Sequence, residues 1–217
     1  MKLFLDTANS EQINAWHFLL DGITTNPSLL AKEAKNPTEQ IKKIVALLPN
    51  KDISVEITKK NPNDVYKQAH EIAALAKNIV VKIPCHRDYY PIIKKLVQEK
   101  VNINITLVFT LVQSLLMCKM GVHYISPFIG RWDDIDIEGS SLLYEIREMV
   151  DRYDFKTEIL AASLRHVRHV HEAIVAGADA ATVPPNVLEK MSEHILTDKG
   201  IAIFEADWEK LSINNFP

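Results

Sequence analysis

The sequence predicts an α/β protein folded as one (β/α)₈ barrel over residues 1–217, and three observations predict it. Eight short apolar or β-branched runs recur along the chain, each followed by a segment of helical period. No Pro/Gly/Ser-rich linker, charge run, low-complexity segment or repeat divides them. Eight βα units in about 200 residues fill one barrel of the usual size. An open doubly wound sheet is the competing arrangement, but no G-x-G-x-x-G or P-loop sequence supports it.

Taken in order, the runs also place the polar residues. Lys2–Asp6 closes on Asp6, and Gly22–Thr25 brings Thr24 and then Asn26. Ile53–Thr58 carries Glu56, and Ile79–Pro84 carries Lys82. In Ile103–Phe109, Asn104 and Thr106 alternate on one face. His123–Pro127 ends near Ser126 with Arg131 just beyond, Glu158–Ser163 ends on Ser163 with Arg165 two residues on, and Ala180–Pro184 is the eighth. Between them, Ile41, Ile44, Val45 and Leu48 form a helical stripe, as do Val65, Ala69, Ile72, Ala73 and Ala76. Helix starts are marked by Asn36-Pro37-Thr38-Glu39 and Asn61-Pro62-Asn63-Asp64, an Asn cap with Pro at the first helical position. After the eighth unit, Ile201, Phe204, Trp208 and Leu211 stripe an extra C-terminal helix over about 200–211 that needs a surface to cover.

Composition narrows the function. The 217 residues are 47% hydrophobic and 24% charged, ordinary for a globular protein. A net charge of −3 offers no basic field for nucleic acid or an anionic membrane. Met1 to Leu5 meets Asp6 too soon for a signal sequence, and no run of about 18 apolar residues occurs, so a cytoplasmic protein is expected. Cys85 and Cys118 stand in no C-x-x-C spacing and read as reduced thiols.

In a barrel enzyme the site gathers at the C-terminal ends of the strands, where these polar residues fall. Lys82 is the most telling. It interrupts the apolar run Ile79-Val80-Val81-Lys82-Ile83-Pro84, and desolvation disfavours the ammonium form, leaving an amine able to form a Schiff base with a carbonyl. The bland reading is that Lys82 snorkels out or pairs with a carboxylate. Asp6 and Glu56 suit the proton transfers of such chemistry. Arg131, Ser163 and Arg165 suit a phosphate, because guanidinium forks match it and the loops after strands 7 and 8 are its habitual place in this fold. His166, His169 and His171 raise the question of a metal, but their spacing is not H-x-x-x-H and no carboxylate completes the set. His86 reads as a solvated loop residue, and Tyr89 and Tyr90 as packing at the mouth.

Several segments together resemble the transaldolase family, in its small bacterial and archaeal branch, over essentially the whole chain. They are Phe4-Leu5-Asp6-Thr7, Gly22-Ile23-Thr24-Thr25-Asn26-Pro27-Ser28, Val55-Glu56, Val81-Lys82-Ile83-Pro84, Asn104-Ile105-Thr106-Leu107-Val108-Phe109, Ser126-Pro127-Phe128-Ile129-Gly130-Arg131 and Ala162-Ser163-Leu164-Arg165. The resemblance implies a (β/α)₈ barrel without cofactor or metal. It implies transfer of a dihydroxyacetone unit from sedoheptulose 7-phosphate or fructose 6-phosphate to glyceraldehyde 3-phosphate or erythrose 4-phosphate, in the non-oxidative pentose phosphate pathway. It assigns Lys82 as nucleophile, Asp6 as acid/base and Glu56 as proton relay through water. Thr24, Asn26, Asn104, Thr106, Ser126 and Phe128 would line the donor site, and Arg131, Ser163 and Arg165 would take its phosphate. It further implies pentameric rings, often paired into decamers; the C-terminal stripe, coming after the barrel is closed, is itself expected to meet a neighbouring subunit of a homo-oligomer, the alternative being that it covers its own barrel. Two rival functions stand beside it: fructose 6-phosphate aldolase, in which relatives carry Tyr in place of Phe128 and Gln in place of Glu56, and a non-catalytic phosphosugar-binding barrel. The chain departs from the family's small or glycine residue after the lysine strand, reading Cys85-His86-Arg87-Asp88-Tyr89-Tyr90, bulk expected either to narrow the mouth or to change the acceptor preference.

Overall fold

A computed structural model describes residues 1–211; the last six residues of the expected domain lie outside the described residues. Eight parallel strands close into a barrel in chain order, β1 (Lys2–Asp6), β2 (Gly22–Thr24), β3 (Asp52–Glu56), β4 (Ile79–Pro84), β5 (Ile103–Val108), β6 (Tyr124–Pro127), β7 (Glu158–Ala161) and β8 (Ala180–Val183). β8 returns to pair with β1, Lys2 opposite Ala180 and Leu5 opposite Val183. The helices are α1 (Ser10–Trp16), α2 (Pro27–Glu33), α3 (Pro37–Leu47), α4 (Pro62–Ala73), α5 (Tyr90–Gln98), α6 (Leu111–Met120), α7 (Gly130–Asp133), α8 (Ser141–Arg152), α9 (Val167–Val175), α10 (Pro185–Ser192) and α11 (Ile195–Lys210). The Asn36 and Asn61 caps form as expected, their side chains accepting from Glu39 N–H and Asn63 N–H.

Side chains alternate across each strand, and the alternation divides the core in two. The outward set, among them Leu5, Ile23, Ile53, Val81, Ile83, Ile105, Ile125 and Val183, is buried beneath the helices. The inward set forms layers along the barrel axis. Phe4, Val80, Tyr124, Leu160 and Ala180 make a dry plug at mid-height. Gly22 is required beside it, because a Cβ there would lie 2.6 Å from the Phe4 ring. At the N-terminal end Tyr124 donates to Asp52 at 2.7 Å, while Lys2 reaches Glu158 at 2.7 Å and Tyr124 at 3.2 Å. Burial works against ionisation of Asp52, yet the hydrogen bonds from His123 and Tyr124 and the charge of Lys2 hold its carboxyl below the usual range. Above the plug, at the C-terminal end, the inward positions turn polar and form the site.

The strands are shorter than the sequence suggests at several ends. β7 stops at Ala161 because Ser163 turns left-handed, with φ of 61°. β5 carries an irregularity between Ile105 and Val108, where Leu107 has φ of 57°. The C-terminal helix starts at Ile195, earlier than the stripe indicated, capped by His194, whose ring accepts from Leu196 N–H. Ile201 is 50% exposed and Phe204 75%, with Trp208 and Leu211 exposed as well. Among the described residues, no helix is long and apolar enough to cross a membrane.

Candidate active site

Lys82 is committed to the interior by its neighbours, since Val80, Val81 and Ile83 are fully buried and fix the strand. Its register partners are Glu56 on β3 and Asn104 on β5. The side chain is 7% exposed, and Nζ lies 3.1 Å from Glu56 Oε2 while donating to the Thr25 carbonyl at 3.0 Å. The lysine does not snorkel; it pairs with a carboxylate inside the barrel, as the second half of the bland reading has it.

Asp6, at the end of β1, accepts from Thr24 Oγ1 at 2.7 Å. Burial pushes the Asp6 carboxyl above its ordinary pKa, and the charge of Lys82 and the Thr24 hydroxyl pull it only partly back. Asp6 is therefore a stronger base than a solvated aspartate. Thr24 also shares a hydrogen bond of 2.6 Å with Thr182 on β8. Across the barrel Ser126 donates to Asn104 Oδ1 at 2.7 Å, and Asn104 donates to Ser54 at 3.2 Å. These bonds fix the Asn104 amide, its nitrogen toward Ser54 on β3 and its oxygen toward Ser126 on β6.

The second pole is built by α7 and the loop after β7. Gly130 N–H donates to the Ser163 carbonyl at 3.1 Å, and a Cβ on Gly130 would stand 2.2 Å from that oxygen, so only glycine admits this approach. The contact sets Arg131 and Arg165 on the same side of the opening. The Arg131 guanidinium lies 5.4 Å from the centroid of the Phe128 ring, which meets Phe109 edge-on at 5.9 Å. Arg165 pairs with Asp134 through both terminal nitrogens.

One cavity of about 240 Å³ joins the two poles. Asp6, Thr24, Asn26, Lys82, Ser126 and Phe128 line it toward the lysine; Arg131, Ser163 and Arg165 line it toward the rim. Asn26 does so while its side chain also caps α2 by accepting from Leu29 N–H at 2.9 Å. Of the residues singled out in the sequence, Glu56, Asn104 and Thr106 do not line it. Glu56 and Asn104 touch residues that do; the buried Thr106 hydroxyl has no hydrogen-bond partner among the described residues. Thr182 and Ala162 also belong to the lining; Thr182 escaped the sequence reading, and Ala162 figured there only within a motif. A threonine in a short strand reads as β propensity, and only its alternation with the inward Ala180 marks it. The bulky loop expected to narrow the mouth is absent from the lining: Arg87–Tyr89 forms a 3₁₀ turn, and Tyr89 donates to the Lys60 carbonyl at 3.1 Å. A larger cavity of about 670 Å³ lies outside the barrel between α6 and α8, with Leu111, Leu115, Met149 and Phe155 in its walls. It holds none of the buried polar groups that chemistry would need.

The histidine reading needs correction. A carboxylate does complete the set, for Asp133, His166 and His169 bring ligand atoms within 4.8 Å of one another, while His171 stands apart from them. His169 Nδ1 accepts from Arg165 N–H at 3.1 Å, and His166 Nδ1 accepts from His169 N–H at 3.3 Å. In a neutral imidazole the remaining nitrogen then carries the proton. His169 Nε2–H accordingly faces Asp133 Oδ2 at 2.5 Å. A metal would need that same nitrogen unprotonated, so the hydrogen-bonding pattern favours a structural clasp. Burial opposes ionisation of Asp133, but His169 and the Gly139 N–H outweigh it and keep the carboxyl below its usual range. Both cysteines are free; burial pushes Cys118 up to about 11 and raises Cys85, whose Sγ is 3.8 Å from the Tyr90 hydroxyl.

Comparison with known proteins adds to this geometry. The family model described as Transaldolase/Fructose-6-phosphate aldolase matches residues 3–214. A protein of Bartonella tribocorum named "Probable transaldolase" is 45% identical over 216 residues, 99% of each chain. Proteins of the same name from Parvibaculum lavamentivorans and Lactiplantibacillus plantarum are each 46% identical over 213 residues, covering 97% of both chains in the first case and 96% of this chain and 97% of the relative in the second.

Proposed function

The chain belongs to the transaldolase/fructose-6-phosphate aldolase family, and from that premise we propose that it is a transaldolase, moving a dihydroxyacetone unit from a ketose phosphate to an aldose phosphate. The observation that carries this reading is one buried amine, Lys82, in a cavity that also holds Asp6 and ends on Arg131 and Arg165. In the reaction so proposed, Lys82 gives a proton to Glu56, 3.1 Å away, and attacks the donor ketone. Glu56 returns that proton, relayed through water, to the carbinolamine hydroxyl, which leaves as water and gives an iminium. Asp6 takes the proton of the hydroxyl two carbons away, the carbon–carbon bond breaks, and its electrons pass to the iminium nitrogen to form an enamine. The released aldose departs. The enamine carbon then attacks an acceptor aldehyde, the new alkoxide recovers its proton from Asp6, and water frees the product from Lys82. The iminium is the electron sink, so the scheme calls on no metal or redox cofactor. Arg131, Ser163 and Arg165 supply charge-assisted bonds for the substrate phosphate.

Borohydride reduction in the presence of fructose 6-phosphate tests this directly. An adduct on Lys82, lost in Lys82→Met, is expected; an adduct on another lysine sinks the mechanism. Formation of sedoheptulose 7-phosphate from fructose 6-phosphate and erythrose 4-phosphate, undiminished by a chelator, tests the substrates and the independence from metal.

The same reading extends to a cytoplasmic homo-oligomer. Apart from the intermediate Gly200, every residue of α11 is exposed, including Ile195, Leu196, Ile203 and Phe204, and exposed apolar side chains of this kind support a contact with a second copy. Light scattering on the wild type and on Phe204→Asp decides the matter. A monomer at micromolar concentration in the wild type refutes the assembly.

A further inference from the structure

The phosphate end of the cavity already holds an anion of the protein's own. Asp134, the residue after α7, gives both carboxylate oxygens to Arg165: Oδ1 accepts from one terminal nitrogen and Oδ2 from the other at 2.7 Å. An arginine recognises phosphate best through a two-point fork, and in Arg165 that fork is taken. The opposite flank is closed too. The position of a Cβ on Gly130 is 3.1 Å from Arg165 Cγ and Nε, so this edge of the side chain lies along the backbone of α7.

Arg165 is gripped a second time, by its main chain. Its N–H donates to His169, which is held in turn by Asp133. The two grips differ in environment. His169 is 3% exposed, whereas the side chains of Arg165 and Asp134 are 45% and 50% exposed. An exposed ion pair is weak and parts without disturbing packing, while the main-chain clasp stays shut. The guanidinium beside Asp134 holds its carboxyl below the usual range, so Asp134 is charged throughout the physiological range. A phosphate dianion entering between Arg131 and Ser163 meets a competitor that is always present.

We propose that Asp134 is a specificity-determining residue: it occupies Arg165 in the resting protein, is displaced by the phosphate of the substrate, and thereby sets how strongly phosphorylated ketoses are preferred over unphosphorylated ones. The inference rests on the proposed function for the identity of the ligand that carries the phosphate. The geometry of the fork is independent of it.

Calorimetric titration with inorganic phosphate at fixed ionic strength tests the proposal on four proteins: wild type, Asp134→Asn, Arg165→Gln and the double variant. Asparagine keeps the shape and removes the charge. Phosphate is expected to bind Asp134→Asn about fivefold more tightly than wild type, the scale of one exposed ion pair. That gain should vanish in the Arg165→Gln background. Equal or weaker binding by Asp134→Asn overturns the proposal, weaker binding meaning that Asp134 orients Arg165 instead of blocking it. A gain that survives without Arg165 also overturns it, since a general change of field would then be the cause. In steady-state assays the KM for the phosphorylated donor should fall about fivefold in Asp134→Asn while the KM for free dihydroxyacetone as donor stays put. The titration needs no turnover. Tighter phosphate binding in a protein that forms no Lys82 adduct would sink the proposed function and leave this inference standing; a trapped adduct with unaltered phosphate binding would do the reverse.

Discussion

Glu56 and Lys82 sit directly opposite each other on β3 and β4, and their side chains close to 3.1 Å between Oε2 and Nζ. Adjacent parallel strands thus deliver the acid and the amine as register partners, with no loop involved in their alignment.

The pairing predicts a non-additive stability cycle. Removing one member of a buried ion pair strands the other charge, at about 3 kcal/mol, while replacing both costs far less. Glu56→Gln and Lys82→Met should each destabilise the fold, and the double variant should recover most of the loss. Urea unfolding at neutral pH reads all four states; simple additivity would show that the pair is not energetically coupled.

Asp6 predicts a trade between stability and activity. Because burial raises its pKa, the folded state holds the Asp6 proton more tightly than the unfolded state does. Folding stability therefore falls as pH rises from the ordinary aspartate value of about 3.9 through the raised one, and the cost persists above it. Asp6→Asn removes that cost. Its melting temperature should exceed the wild type's by a few degrees at pH 7.5, about 2–4 °C per kcal/mol for a domain of this size, and by less at pH 4, while transfer activity is lost. A gap independent of pH would refute the assignment of the shift to Asp6.

Gly130→Ala should act on the phosphate end alone. The added methyl would meet the Ser163 carbonyl at 2.2 Å, forcing α7 off the loop after β7 and separating Arg131 from Arg165. The expected result is a KM for phosphorylated donor raised about tenfold or more, as two charge-assisted contacts weaken, with a smaller change in kcat and with Lys82 still trapped by borohydride. An unchanged KM would mean that this pole does not bind the phosphate.

Much of this was open to reading along the chain. Lys82 announced itself because a charged side chain interrupts a run of buried aliphatics, and Arg131, Ser163 and Arg165 because they fall just past strand ends. What stayed hidden depends on distance in sequence. Asp133 reaches His169 across 36 residues, so the clasp behind Arg165 was invisible. Thr182 carried no mark beyond its alternation with Ala180 that separates a cavity-facing threonine from a strand-forming one. The bulk of Cys85 to Tyr90 drew notice as residue size, whereas its consequence depends on direction, and Tyr89 turns to the Lys60 carbonyl instead of the mouth.

Phe128→Tyr should shift the balance between transfer and release. Phe128 lines the cavity, its ring braced by Phe109 and faced by Arg131, and it has no proton to give. A hydroxyl there would add a proton donor to the cavity that Lys82 also lines. Free dihydroxyacetone formed from fructose 6-phosphate without acceptor should rise about tenfold, within the range of a single general acid, and transfer to erythrose 4-phosphate should fall. If the wild type already releases dihydroxyacetone as fast without acceptor as it turns over with one, it acts as an aldolase.

The pairing of β1 with β8 has a temporal consequence during synthesis. Asp6 leaves the ribosome with the first strand, but Thr182, which shares Thr24 with it, emerges only with the last. Until residue 183 is free of the exit tunnel, β1 has an unpaired edge and the Asp6 side of the pocket lacks a wall. Before then no other strand of the barrel can cover that border of β1, which carries Leu3, Phe4 and Leu5.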